Sequence, residues 1–279
     1  MSQLQLHKII TCCIRCKSDD FAKIDQTSLG YDEFRCFACK QKFNERTSTE
    51  FNRLEQPTDV DLLVVRWYLS YKLSLRDLSE MFLDRGFEFS HEAIRIWILR
   101  FTPLLVDELR KRRRGKAGVS WYVDETYINV KGKWTYLYRA IDRDGQLVGT
   151  MLSKTRDMAA AKRFFGSAIK VTGTKPDRVT TDHHSSYPRA ISSTLGKRVK
   201  HRTNQYLNNF TEQSHRTVKQ RYYPMLGFGT FSSSAIICRG IDELRNFLRP
   251  RNFGALTSGQ RRRIRVSKNY SMAKMVMNF

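Results

Sequence analysis

The chain has 279 residues, with 50 Lys and Arg against 27 Asp and Glu, a formal net charge of +23 and a pI near 10.0. This excess of positive charge predicts salt-dependent attraction to nucleic acid or to an acidic membrane surface. No run approaches the roughly 20 apolar residues that span a bilayer, and the N-terminus lacks the apolar core of a secretory signal. We therefore expect a cytoplasmic protein that acts on nucleic acid and has no membrane partner.

Residues 1–50 contain five of the six cysteines, and four of these five form two close pairs with 19 residues between the pairs. The paired residues are Cys13 with Cys16, and Cys36 with Cys39. This spacing predicts a zinc ribbon, in which short hairpins place four thiolates around one structural Zn²⁺. A pair of disulfides is the alternative, which a chain without a secretory signal disfavours. Cys12 could replace Cys13 as a ligand, although its spacing fits less well.

Three helices are predicted in residues 57–113, each with a polar residue that can cap its first turn. The caps and extents are Thr58 with a helix to about Lys72, Ser74 with a helix over 75–85, and Ser90 with a helix towards Arg113. Ser74 is followed three residues later by Asp77, the pattern of a capping box. Compact helices around a turn predict a DNA-binding helix-turn-helix, and a plain helical spacer is the alternative. The third helix then offers contacts to bases or phosphates from Ser90, His91, Arg95 and Arg100.

After a basic run at 111–116 the hydrophobic period changes, and residues 118–250 show hairpin-connected strands followed by alternating helices and strands. The predicted strands are 120–130, 133–141, 146–152, 178–181 and 199–201, and the predicted helices are 158–169, 187–195 and 209–221. This order predicts an α/β structure with a mixed sheet flanked by helices. The final segment, 251–279, has seven Lys or Arg and no acid, which predicts a DNA-contacting or partly disordered basic tail.

Three acids differ in context from the many turn and cap acids of this chain. Asp124 and Asp182 each close an apolar run that predicts a buried strand, and Glu212 opens a basic amphipathic helix. A buried carboxylate is costly unless it is paired or coordinates a metal. Asp124 and Asp182 have 57 residues between them, so they can converge only if their strands are neighbours. Such a set predicts a two-metal site for phosphoryl transfer in nucleic acid. Glu125 is expected to point to the opposite face and to be solvated.

Basic residues follow Glu212 at one to three helical turns and could hold the phosphates beside the scissile bond. They are His215, Arg216 and Lys219. For His215, a structural role inside the protein is an equal alternative.

The segments around these acids resemble the DDE transposases of the insertion-sequence-six family. The resembling segments are 123–142, 180–182 with 187–191, 206–216 and 226–233, within a resemblance that covers roughly 57–248. The resemblance implies an RNase H-like catalytic core in which Asp124, Asp182 and Glu212 hold two Mg²⁺ or Mn²⁺. It also implies a prokaryotic, nucleoid-associated protein with an upstream helix-turn-helix, whereas a zinc ribbon is similar to that of only some relatives.

The function that this resemblance implies is transposition of an insertion sequence. The protein would bind the ends of its element, cleave their 3′ ends by hydrolysis and join them to target DNA by transesterification. Pairing of two ends requires at least a homodimer on DNA. A catalytically silent DNA-binding regulator is one alternative, which the three intact acids disfavour. A nuclease or RNase H proper is another, and it would not need the N-terminal modules that read DNA.

Overall fold

The computed structural model describes residues 10–204, 215–216, 218–225, 227–250 and 255–276. Its N-terminal part is a three-stranded antiparallel sheet of β1 (Phe21–Gln26), β2 (Asp32–Cys36) and β3 (Lys42–Phe43). These short strands place the cysteine pairs together, and Phe21, Phe34 and Phe43 pack as rings 5.5–5.6 Å apart beside them. The hairpins predicted for a zinc ribbon are therefore confirmed.

Three helices follow the ribbon: α1 (Thr58–Ser70), α2 (Leu75–Leu83) and α3 (His91–Arg113). The capping box of Ser74 and Asp77 is confirmed, and Ser90 caps α3 by accepting from Ala93 N at 3.2 Å. Thr58 was expected to cap α1, but the cap position is Pro57. The Thr58 N–H instead donates to the Tyr31 hydroxyl at 2.9 Å, so a ribbon side chain satisfies the start of this helix.

Helices α2 and α3 are connected by residues 84–90, a longer link than the roughly three or four residues of a compact helix-turn-helix. Two rings in this link anchor it. Phe89 lies 5.5 Å from Phe82 and 4.9 Å from Trp97, and Phe87 lies 6.3 Å from Phe82. The link is thus fixed by packing against both helices that it joins.

The second sheet has five strands in the order β6-β5-β4-β7-β8. In chain order its strands are β4 (Ser120–Val130), β5 (Lys133–Asp142), β6 (Leu147–Ser153), β7 (Arg178–Thr181) and β8 (Lys200–Thr203). The first three pair antiparallel, whereas β7 runs parallel to both β4 and β8. This mixed sheet has the RNase H-like order that the resemblance implies, so the predicted fold class is confirmed.

Helices cover both faces of this sheet. One face packs on α4 (Met158–Thr172) and α5 (Ser186–Thr194) through a core around Trp121, Val123 and Tyr138. The other face packs on α6 (Phe231–Leu248) through a core that also contains residues of α1, α2 and α3. The helices of residues 57–113 therefore share one hydrophobic core with the sheet.

Two helices near the C-terminus were not anticipated. No helix was predicted over α6, although it packs on one face of the sheet. Residues 251–279 were expected to form a tail, yet Ser258–Val276 form a helix, α7, whose Met272 is only 5% exposed. Lys268 on α7 donates to the Arg249 carbonyl at 2.7 Å, which holds the basic helix against the end of α6.

Buried ion pairs tie these elements together. Glu243 on α6 accepts from Arg110 at 2.8 Å and from Arg113 at 2.6 Å, joining α3 to α6. Asp242 accepts two hydrogen bonds from Arg139 on β5, at 2.7 and 3.0 Å, and both side chains are almost fully buried. Within the described part of the chain, every helix is too short or too polar to cross a bilayer.

Candidate active site

Asp124, inside β4, lies beside Asp182, which directly follows the last residue of β7. In the β4–β7 pair, Tyr122 lies opposite Thr180, and Asp124 and Asp182 each follow two residues later in the chain. One carboxylate oxygen from each, with one from Glu125, form a cluster in which the oxygens lie within 4.8 Å of one another. The Asp124 and Asp182 side chains are 14% and 25% exposed, which leaves the cluster open to a ligand.

Glu125 is buried, which corrects the expectation that it is solvated. Alternation along β4 does turn it away from the α6 face, but the opposite face is itself covered by α4 and α5. Its carboxylate accepts one hydrogen bond from Arg156 and another from the Tyr187 hydroxyl on α5. Burial raises the pKa of Glu125, while the hydrogen bond from Tyr187 and the nearby Arg156 oppose that shift.

Arg156 bridges two of the three carboxylates, a role that the sequence did not suggest. Its Nε donates to Glu125, and its Nη2 donates to Asp182 Oδ2 at 2.9 Å. Although burial alone would lower it, the two carboxylates raise the pKa of Arg156. The other oxygen of Asp182 accepts from His184 N at 3.1 Å, so both of its oxygens are held in place.

His215 lies inside the protein beside Asp124, with Nε2 3.4 Å from Asp124 Oδ2. The residue is 4% exposed, so the structure places it away from the surface on which we expected a phosphate contact. Burial lowers the pKa of His215 in spite of the neighbouring carboxylate, which favours a neutral imidazole. The other two phosphate candidates, Arg216 and Lys219, are exposed on the same helical segment.

Glu212, the third expected acid, lies outside the described residues. The described neighbours 215–216 and 218–222 are helical, as the pattern over 209–221 predicts. Asp124 accepts from Glu125 N at 2.9 Å and contacts His215. The contact with His215 places this helical segment against the middle of β4.

The carboxylate cluster fits hard divalent cations. It holds three carboxylates and one guanidinium, and the neighbouring imidazole is held neutral, so negative charge is in excess. Carboxylate oxygens are the ligands that Mg²⁺ and Mn²⁺ prefer. Because the Glu125 side chain is 1% exposed whereas those of Asp124 and Asp182 are 14% and 25% exposed, Asp124 and Asp182 are the better ligands of the three.

The four paired cysteines also converge. Their sulfur atoms form one cluster within 4.8 Å, with Cys13 Sγ 3.8 Å from Cys39 Sγ and Cys16 Sγ 3.5 Å from Cys36 Sγ. The Cys39 N–H donates to Cys36 Sγ at 3.5 Å. Cys12 is outside the cluster, so Cys13 is the member of that adjacent pair placed to bind a metal. Four thiols at this spacing fit a tetrahedral Zn²⁺ site.

The DNA-binding candidates on α3 lie near its N-terminal end. Ser90 and Arg95 are exposed, and His91 is half-buried. Arg95 pairs with Glu92 at 2.7 Å, and Arg100 pairs with Glu50 at 3.1 Å, a contact between α3 and the segment that follows the ribbon. These pairs are exposed, and such pairs contribute about 0–1 kcal/mol, so a phosphate can displace them at little cost.

A basic cavity lies behind the sheet, between α6, α7 and the turn that joins β5 to β6. Its volume is about 840 Å³. Seven arginines line it: Arg139, Arg221, Arg245, Arg249, Arg261, Arg262 and Arg265. Asp242 is the one acid among the described residues that line it. Burial and the neighbouring arginines lower the pKa of Arg245 to about 10, which shows how strongly positive charge is concentrated there.

Comparison with known proteins gives a consistent set of relatives. A family model for a DDE domain matches residues 118–251. The transposase for insertion sequence-like element IS431mec of Staphylococcus aureus is 41% identical over 168 residues, which is 58% of this chain and 74% of that protein. An uncharacterized protein of Methanocaldococcus jannaschii is 32% identical over 154 residues, or 54% of this chain and 67% of that protein.

Solved structures give weaker matches. The catalytic core domain of HTLV-2 integrase in complex with magnesium, in its trimeric form, has a TM-score of 0.38 and 18% identity, covering 55% of this chain and 99% of that chain. A chain of the simian T-cell lymphotropic virus intasome has a TM-score of 0.39 and 19% identity, covering 55% of this chain and 56% of that chain. Likeness at this level carries no argument about activity.

Proposed function

Because this chain belongs to the insertion-sequence-six family of DDE transposases, we propose that it binds the ends of its own element, cleaves their 3′ ends and joins them to target DNA. The observation that carries this proposal is the meeting of Asp124 and Asp182. They have 57 residues between them, yet one carboxylate oxygen of each lies within 4.8 Å of the other. Their convergence is supported on both sides by a buried core, which fixes the two carboxylates before any substrate arrives.

We assign the metal ligands as Asp124 and Asp182, with Glu212 as the third. Two Mg²⁺ or Mn²⁺ ions held by these acids would lower the pKa of the attacking water or 3′-OH and stabilise the leaving oxygen. The chain itself contributes orientation. Arg156 and the His184 N–H fix the two oxygens of Asp182, and His215 packs as a neutral ring against Asp124.

The paired cysteines are proposed to bind one structural Zn²⁺. Four thiolates leave no open coordination position, so this ion would take no part in the reaction. The ribbon is joined to the rest of the chain through the Tyr31 hydroxyl at the start of α1 and through Glu50 at Arg100. Zinc would therefore act on DNA binding indirectly, by ordering the segment that packs against α1 and α3.

DNA is the proposed partner, in a complex that contains at least two copies of this chain. Two basic surfaces support it: the exposed residues on α3 with Arg216 and Lys219, and the cavity lined by seven arginines. The α3 residues Ser90, His91, Arg95 and Arg100 are proposed to recognise the element ends. The catalytic sheet would hold phosphates without reading sequence, because it must also accept varied target DNA.

Product analysis tests this function against its alternatives. The substrate is a duplex carrying the terminal inverted repeat of the element, labelled on the cleaved strand and mixed with plasmid DNA, Mg²⁺ and full-length protein. Labelled plasmid is expected. Labelled fragments without joining would indicate a nuclease, and binding without any product would indicate a silent regulator. Asp124→Asn is the active-site variant, and Asp144→Asn in the exposed β5–β6 turn is the matched control.

A further inference from the structure

Three aromatic side chains form an exposed patch on the hairpin of β4 and β5: Tyr127, Trp134 and Tyr136, hereafter the aromatic patch. Trp134 is 63% exposed and Tyr127 is 49% exposed. The Tyr127 ring lies 5.2 Å from that of Tyr136 and 6.4 Å from that of Trp134, so the three form one continuous surface. Large aromatic side chains left in water in this way mark a binding surface more often than a packing requirement.

The patch continues the face of the sheet that carries the buried network around Glu125. In the β4–β5 pair, Tyr127 lies opposite Tyr136, and Glu125 lies opposite Tyr138. Tyr127 is two residues from Glu125 on the same face, about 7 Å along the strand, and the Glu125 carboxylate lies within 4.8 Å of oxygens of Asp124 and Asp182. The core under α4 and α5 already ends at this point, because Tyr136 is only partly buried against it. The exposed rings are therefore placed next to the active-site cluster without being needed for the core.

The scaffold under the patch is rigid. Lys131 and Gly132 form the two-residue turn of the hairpin, with φ of 49° and 78°, as in a type I′ turn. Asn129 Oδ1 accepts from Gly132 N at 2.8 Å and closes this turn. Beyond it, Val130 is bridged to Phe228, and Lys131 N donates to the Phe228 carbonyl at 3.3 Å. A rigid platform lets the rings bind a flat partner with little loss of conformational entropy.

The charge around the patch restricts the partner. Residues 126–141 contain no acid, and Lys131 and Lys133, at the turn of this hairpin, are exposed. A flat apolar surface bordered by ammonium groups is complementary to a molecule with aromatic faces and anionic links. An unpaired stretch of nucleic acid has this chemistry, because its bases stack on aromatic rings and its phosphates contact lysines.

We infer that the aromatic patch stacks unpaired bases of the DNA strand adjoining the phosphodiester bound at Asp124 and Asp182. This inference rests on the proposed function. It adds that the bound DNA end has its last base pairs opened. Bases in a duplex present only their edges, so the patch distinguishes unpaired from paired bases. It accepts any of the four bases. A second copy of this chain is the competing occupant, since aromatic rings also bury well in protein interfaces.

The test uses full-length protein and two end duplexes of the same sequence, one fully paired and one with three mismatched terminal pairs. Trp134→Leu is expected to weaken binding of the mismatched duplex by about tenfold or more, since base stacking is lost. Binding of the paired duplex should change by less than about twofold. Trp134→Phe keeps an aromatic face and should retain most of the affinity. An unchanged thermal unfolding midpoint for both variants excludes misfolding as the cause.

Fluorescence gives an independent measurement, because Trp134 is far more exposed than Trp97 at 8% or Trp121 at 0%. Single-stranded DNA should quench wild-type emission, and Trp134→Phe should lose that quenching. Affinity of Trp134→Leu for the mismatched duplex equal to that of the wild type, or no quenching of the wild type at saturation, would overturn the inference. A variant that changes from dimer to monomer in sedimentation while still binding mismatched DNA would also overturn it, in favour of a subunit interface.

The two proposals can fail separately. Wild-type protein that joins ends to plasmid, together with a Trp134→Leu variant that matches the wild type in activity and in affinity for each duplex, would remove the patch alone. Wild-type protein that forms no joined product, yet loses mismatch preference on Trp134→Leu, would remove the transposition chemistry and leave the patch as a DNA site.

Discussion

The ribbon and the five-stranded sheet differ in how their candidate metal ligands relate to the fold. The ribbon's buried core consists of Cys13, Cys36 and Phe43, so two of its three central residues are candidate metal ligands. The sheet is buried between two large apolar cores to which Asp124 and Asp182 contribute nothing. In the ribbon, a metal would hold the fold together. In the sheet, the fold holds the ligands in place, and removing metal should therefore affect structure in one region and chemistry in the other.

Breaking the zinc site should produce the largest effect on structure. Metal binding supplies about 10–16 kcal/mol to comparable small zinc domains, so Cys36→Ser should unfold the ribbon and lower bound zinc from one ion per chain to none. Hydrogen exchange should show β1 and β2 unprotected while β4 and β5 stay protected. Cys12→Ser is the matched control and should keep its zinc. A Cys36→Ser protein with a protected ribbon would show that the hairpins fold without metal.

Changing the catalytic carboxylates should produce the largest effect on chemistry. Asp124→Asn and Asp182→Asn keep the shape of the side chain but remove a charge that the ions need, and metal stabilisation is worth several kcal/mol. Strand transfer should fall by about a thousandfold or more. The free energy of unfolding should stay within about 1 kcal/mol of wild type, because each change relieves repulsion inside an acidic cluster. Near-normal transfer by either variant would remove that residue from the metal site.

Glu243 on α6 should stabilise the packing of α3 against the rest of the fold. Glu243→Ala leaves Arg110 and Arg113 partly buried without their carboxylate, which should lower the free energy of unfolding by about 3–5 kcal/mol. Urea denaturation measures this loss, and Glu88→Ala at an exposed position is the control. A change below about 1 kcal/mol would mean that α3 is only loosely attached. Because α3 shares a hydrophobic core with the sheet, deletion of residues 1–113 would expose that core. Recognition of the element ends is therefore better tested with the single substitution Arg95→Ala.

Asp61 should make the helical segment less stable as pH rises. Burial raises its pKa to about 8, and among the described residues neither of its oxygens has a hydrogen-bond partner. The folded state then binds a proton that the unfolded state, with a pKa near 3.9, has released, so stability falls between about pH 4 and pH 8. Asp61→Asn should remove this slope and stabilise the protein at pH 9 by a few kcal/mol. Equal stability of wild type and Asp61→Asn from pH 5 to 9 would contradict the assignment.

Much of the sheet was predictable because its strands are both apolar and bounded by turn residues. Strand β7 begins and ends where it was predicted, and β4 runs over the whole predicted range 120–130. Asp124 inside β4 and Asp182 directly after β7 were recognisable from the apolar runs that precede them. The prediction that Glu125 is solvated was wrong, because the alternation of side chains along a strand indicates only which face of the sheet a side chain points to. Whether that face meets water depends on α4 and α5, which are distant in the sequence.

Residues that act through partners from elsewhere in the chain were harder to find. Arg156 stands in a polar link before α4, and only the fold brings it to Glu125 and Asp182. Thr58 has the side chain of a helix cap, yet Tyr31 from the ribbon satisfies the first turn instead. The α7 segment has no acids and many arginines, and this composition led to the prediction of a tail. The segment is instead a helix that packs through Met272. In each case tertiary contacts decided what local sequence left open.

The most direct test of the difference between the ribbon and the five-stranded sheet uses zinc-loaded protein from which other divalent ions have been removed. Hydrogen exchange and strand transfer are measured on this protein. We predict that amides of β4 and β7 stay protected from hydrogen exchange and that no end is joined to plasmid. Adding Mg²⁺ should restore joining and leave that protection unchanged. Joined product without a divalent ion, or strands β4 and β7 that become protected only when Mg²⁺ is added, would contradict a site whose fold places the ligands before the metal binds.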